Sequence, residues 1–129
     1  MGFDRLPNSA VIGQYYDQIY AKIETSSGNA RFGIYDNTSS SPNNLLQETG
    51  QISCPGSSTY NANSLTEFAV TTTQLWTAVT FSNNTATIRY GIGANAGGYK
   101  SRAFQALPNP APSFDNTYTY NNRLKIGHS

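Results

Sequence analysis

Polar and apolar residues alternate along most of this chain. Between residues 11 and 24, Ile19, Ala21 and Ile23 are spaced by Tyr20, Lys22 and Glu24, the two-residue period of a half-buried β-strand. Ser26-Ser27-Gly28-Asn29 reads as a turn. Residues 30–35 repeat the pattern, with Phe32 and Ile34 on one face and Arg31, Gly33 and Tyr35 on the other. A glycine inside a strand predicts close approach of another segment, and Gly33 is placed for that. A polar loop closed by Pro42 follows over 36–44, then a short strand over 45–50 that continues at 51–53. Residues 55–64 read as loop, and 66–70 as a strand with Phe68 and Val70 inward. Residues 75–81 are apolar on both faces, Leu75, Val79 and Phe81 against Trp76 and Ala78. The strand should therefore be central and covered on both sides.

The later third is less regular. Ser82-Asn83-Asn84 predicts a turn that pairs residues 86–90 back as a hairpin. Residues 91–98 form a glycine-rich loop, 100–104 a short strand, and 108–112 a proline-stiffened crossing that cannot be helix. Residues 117–120 suit an edge strand. Residues 123–128 suit a closing strand with Leu124 and Ile126 inward. Eight or nine short strands between turn signals predict an all-β antiparallel β-sandwich. Residues 1–10 lack periodicity and read as an N-terminal arm; residues 11–129 read as one domain.

Only 12% of the 129 residues are charged, about half the usual share, and Asn, Ser, Thr, Gln and Gly supply the polarity instead. A net charge of +1 without basic runs argues against nucleic acid as a partner. No apolar run reaches the roughly 18 residues of a membrane span, and no signal-peptide core is visible. Cys54 is the one cysteine, which excludes an intrachain disulfide. It reads as a passive small residue or as half of an intermolecular bridge.

Several segments carry a family likeness. Asn29-Ala30-Arg31-Phe32-Gly33-Ile34-Tyr35-Asp36, then Ser41-Pro42-Asn43-Asn44-Leu45-Leu46, then Glu48-Thr49-Gly50 resemble a jelly-roll module of bacteriophage tail and head-fibre proteins and bacterial surface proteins. Leu75-Trp76-Thr77-Ala78 and Ala106-Leu107-Pro108-Asn109-Pro110 are similar to the later strand and proline segment of the phage versions. The likeness spans residues 16–127, and its motifs are told more by their order than by any one of them. It implies a jelly-roll sandwich that builds or decorates particles, located on a virion or outside the cell. No fibrous shaft accompanies the module, which favours a small self-assembling or decorating subunit.

Chemistry is sparse. Gly91-Ile92-Gly93-Ala94-Asn95-Ala96 matches a dinucleotide fingerprint in letters, but no helical pattern follows to receive a phosphate. His128 is the single histidine and has no visible partner, and by count a zinc site built from several histidines is excluded. The seven acids are dispersed, although a chance pair such as Asp17 and Glu67 stays open and leaves a hydrolase as a minor alternative. The chain is therefore expected to be non-catalytic and without cofactor. Asp36 and Asn37 are the candidates for a calcium-clipped loop, against an ordinary Asx turn. Asn37-Thr38-Ser39 and Asn83-Asn84-Thr85 are sequons in predicted turns. The expected partners are copies of the chain or other virion or appendage proteins, with a surface glycan as the alternative. For self-association, Phe3 and Leu6 in the arm would dock on a neighbouring copy. For a glycan, Tyr99, Tyr118 and Tyr120 would stack on sugar, beside Lys100 and Arg102. Trp76 is expected in the core.

Overall fold

The structure is a computed structural model that describes residues 1–7, 9–83, 96–119 and 124–129. Those residues form ten strands and no helix: β1 Gly2–Arg5, β2 Tyr15–Ala21, β3 Asn29–Thr38, β4 Ser41–Glu48, β5 Ile52–Ser53, β6 Asn61–Ala69, β7 Trp76–Phe81, β8 Ala96–Tyr99, β9 Asn116–Thr119 and β10 Leu124–Gly127. All pairings are antiparallel. The larger sheet runs β4-β3-β7-β1-β8-β9, with β5 also on β3; the smaller runs β10-β2-β6. The two sheets pack as a sandwich-like all-β fold.

Both faces of the larger sheet are covered, as the two-sided pattern of 75–81 requires. On one face Phe32, Ile34 and Val79 meet Ile19, Ala21, Leu65, Phe68 and Leu124 of the smaller sheet. On the other, Phe3, Tyr35, Trp76 and Ala78 are roofed by Leu107 and Phe114 from the proline-rich crossing. Strand β7 lies between β3 and β1, and Trp76 is buried. The crossing is pinned at Tyr35, whose hydroxyl donates to the Pro108 carbonyl at 2.6 Å, and at Glu48, which accepts from the Leu107 N–H at 3.0 Å and pairs with Arg31.

Residues 1–10 are not an arm. Gly2–Arg5 is inserted between β7 and β8, with Phe3 opposite both Ala78 and Gly98 and fully buried. The chain then stays paired as it changes sheet. Leu6, Ala10 and Gly13 donate to the carbonyls of Leu75, Thr73 and Val70, and Val70 returns a bond to Gln14. The β1–β2 and β6–β7 segments thus turn the corner together as one two-stranded ribbon, the device by which sandwich strands switch sheets. A four-residue strand with one large apolar side chain has no detectable period; only its distant partners define it.

Other boundaries also move. The expected loop 36–44 is a tight hairpin: β3 and β4 run to Thr38 and Ser41, and Ser39 and Ser40 take φ of 49° and 62°. Pro42 is accommodated because β4 is an edge strand. Strand β6 starts at Asn61, inside the expected 55–64 loop. Strand β8 is Ala96–Tyr99 rather than 100–104, so Gly97 and Gly98 are strand residues. The expected hairpin partner 86–90 lies outside the described residues, as do Gly91 to Asn95.

Candidate functional site

Two surface features gather chemistry. The first is a cleft of about 490 Å³ on the crossing side of the larger sheet. Ser40 and Ser41 of the β3–β4 hairpin form one lip. Trp76, Phe114, Thr117 and Tyr118 line the rest. Phe114 organises the walls: its ring lies 5.3 Å from that of Phe3 and 6.0 Å from that of Trp76. Beneath the walls, β8 is stripped to glycine. A Cβ on Gly98 would stand 2.1 Å from the Phe114 ring, and one on Gly97 2.4 Å from the Tyr118 ring. The Tyr118 hydroxyl donates to the Gly98 carbonyl at 2.7 Å. Ser39 and Ser40 both take positive φ, as the two-residue β3–β4 hairpin requires. A smaller hollow of about 220 Å³ adjoins the cleft at Ser41 and Phe114 and is also lined by Pro42.

The second feature is a cluster on the smaller sheet. Asp17 in β2, Glu67 in β6 and His128 just after β10 bring one ligand atom each within 4.8 Å of one another. The histidine without a visible partner therefore has one: Nε2 lies 2.8 Å from the Glu67 carboxylate, and this bond, more than any other contact, raises the imidazole pKa above its ordinary 6.5. Ser129 donates its hydroxyl to Asp17 Oδ2 at 2.6 Å and its N–H to Oδ1 at 2.7 Å, holding that carboxyl below its usual range. The side chains of Glu67 and His128 are 52% and 47% exposed, so ions can reach them.

The residues singled out from sequence fall as follows. Tyr99 is exposed and Tyr118 half-buried, and register puts both on the same face of β8–β9. Lys100 pairs with Asp115 at 3.2 Å, and Arg102 is half-buried. The Asp115 carboxyl is lowered by the Ser101 N–H and by Lys100. Tyr120 lies outside the described residues. Phe3 is enclosed and Leu6 packs against the core between the sheets, so in this fold neither offers a free contact for a second copy. Asp36 accepts from the main-chain and side-chain N–H groups of Asn44 at 2.7 and 3.1 Å, and the Asn37 side-chain oxygen accepts the Trp76 indole N–H at 2.9 Å. Cys54 is buried, and burial pushes its thiol pKa up, the setting of an inert cysteine.

The sequence reading missed Phe114, whose Pro-Ser-Phe-Asp context looks like loop, and Ser40, whose turn lacks the usual glycine or asparagine. It also missed an apolar corner: Val11, Ile12 and Tyr15 are 67%, 62% and 55% exposed where the ribbon changes sheet. No protein-family model, curated protein or solved structure matches the chain. Among the described residues no helix is long and apolar enough to cross a membrane.

Proposed function

We propose that this chain is a non-catalytic structural subunit of a virion or extracellular appendage, acting by self-association or by decorating a larger lattice. The observation that carries this reading is the exposed corner of Val11, Ile12 and Tyr15. Three large side chains close together in sequence stand in water on a rigid, twice-paired ribbon, in a chain with few charges to oppose contact. This corner replaces Phe3 and Leu6 as the contact. The jelly-roll likeness of the sequence supports the same reading. Mass measurement on the eluting protein tests it: the parent should run as an oligomer, and Val11→Ser with Ile12→Ser should run as a smaller species with an unchanged β spectrum. A monomeric parent at high concentration removes self-association and leaves only decoration of a lattice built by another protein.

The cleft favours a second reading, attachment to a glycan. Aromatic walls at Phe114 and Tyr118 with hydroxyls at Ser40, Ser41 and Thr117 suit the apolar face and the rim of a sugar ring. Binding on a glycan array that is lost in Phe114→Ala supports attachment; binding that survives it does not.

A further inference from the structure

We propose that Asp17, Glu67 and His128 form a binding site for one divalent transition-metal ion of the zinc type, which clips the three strands of the smaller sheet together. The ligands come from β2, β6 and the residue after β10, so they are distant in sequence and joined only by the fold. A break in register sets their convergence. Tyr16 pairs with Phe68 and Gln18 with Ser64, so Asp17 alone on β2 faces Leu65, Thr66 and Glu67 on β6. Such a bulge re-aims a side chain, and here Leu65 and Phe68 stay in the core while Glu67 points to solvent beside Asp17.

The imidazole is oriented as a ligand requires. Its Nδ1 lies 2.9 Å from the main-chain oxygen of Ser129, which leaves Nε2 directed at the carboxylates. Metal-binding histidines are held in this way through their other nitrogen, and ligating carboxylates are themselves hydrogen-bonded, as Ser129 does for Asp17. The donor set, one nitrogen and two carboxylate oxygens, suits zinc; calcium and magnesium prefer six or more oxygens. Two carboxylates and a neutral imidazole balance a dication, and the Nε2 proton leaves to solvent when the metal enters. Ligand atoms around a tetrahedral zinc stand about 3.3 Å apart. The three groups here are within 4.8 Å, and two of them are exposed enough to close that gap by side-chain rotation. The ion would fasten β10, a four-residue edge strand, to β6 across β2.

The test is calorimetric titration of Zn²⁺ into the full chain, made without a histidine tag, with Co²⁺ absorption reporting nitrogen coordination. One ion per chain should bind. His128→Ala, Glu67→Gln and Asp17→Asn should each weaken it by at least the ~10-fold that loss of a supporting partner costs. Zn²⁺ should raise the melting temperature of the parent and not of His128→Ala. All three side chains lie outside the core, so unchanged β spectra should accompany the variants. No saturation up to about 1 mM metal overturns the proposal. So does parent affinity in Glu67→Gln and Asp17→Asn, which would leave only a lone histidine, and so does Ca²⁺ binding as tightly as Zn²⁺.

Discussion

Leu107 sits on Gly33 so closely that a β-carbon there would stand 2.4 Å from Leu107 Cδ1. Gly33 is in the middle of β3, and Leu107 belongs to the crossing that roofs the outer face of the larger sheet. The missing side chain lets the crossing lie flat, bringing Pro108 within reach of the Tyr35 hydroxyl. Gly33→Ala should therefore cost about 1–3 kcal/mol, the usual range for overfilling a packed site. Urea unfolding measures it; an unchanged midpoint would mean the crossing is loosely held.

The crossing's own side chains give a matched pair of effects. Leu107→Ala should cost about 2–5 kcal/mol through lost burial and a cavity. Tyr35→Phe should cost about 1 kcal/mol, because it removes only the hydroxyl and leaves the ring against Phe3. The order of the two by thermal unfolding checks that packing, more than the hydrogen bond, holds the roof.

Strand β1 is the next expected weak point. Phe3→Ala should cost about 3–5 kcal/mol, since Phe3 touches Tyr35 and Phe114 and is wholly enclosed. Deletion of residues 1–5 should abolish cooperative unfolding, because among the described residues β1 is the strand that joins β7 to β8 in the larger sheet. A truncated chain that melts like the parent would contradict the insertion of this strand. Deletion of the N-terminus is for the same reason no test of assembly.

What was legible in the sequence follows the range of the interactions. Ile19 and Ala21 declare their strand because the core lies on one side of it, and Trp76 to Phe81 declare theirs because the core lies on both; Ile23 keeps the period but falls beyond the end of β2. The Gly33 signal is also local, a gap in a strand. Phe3 carries no such sign, since its partners Ala78 and Gly98 are most of a chain length away. The Ser39-Ser40 hairpin hides because neither residue is a usual left-handed former. Asp17, Glu67 and His128 read as dispersed charges, and only the β6 bulge and the end of β10 gather them; Glu67 and His128 are 61 positions apart.

Acid and base should each weaken that cluster, through different groups. The pKa of His128 is raised by Glu67. Its contribution to stability is therefore complete below the ordinary value of 6.5 and lost as pH rises through the higher folded value. Asp17 has a lowered pKa, so its contribution holds above the ordinary 3.8 and is lost as pH falls through the folded value. Both groups lie at the surface in contact with solvent, so the effects should be small. Urea midpoints against pH, in metal-free buffer, should lose the alkaline decline in His128→Gln; a decline of the same size there would assign it to another group.

On the proposed function, the apolar corner of Val11, Ile12 and Tyr15 is a contact between subunits. Hydrogen exchange at residues 11–15, compared between dilute and concentrated protein, tests it most directly. The Val11, Ile12 and Tyr15 amides should exchange more slowly as concentration rises, with residues 52–53 on the opposite sheet as an unchanged reference. Equal exchange at both concentrations would contradict the claim and leave the corner as surface alone.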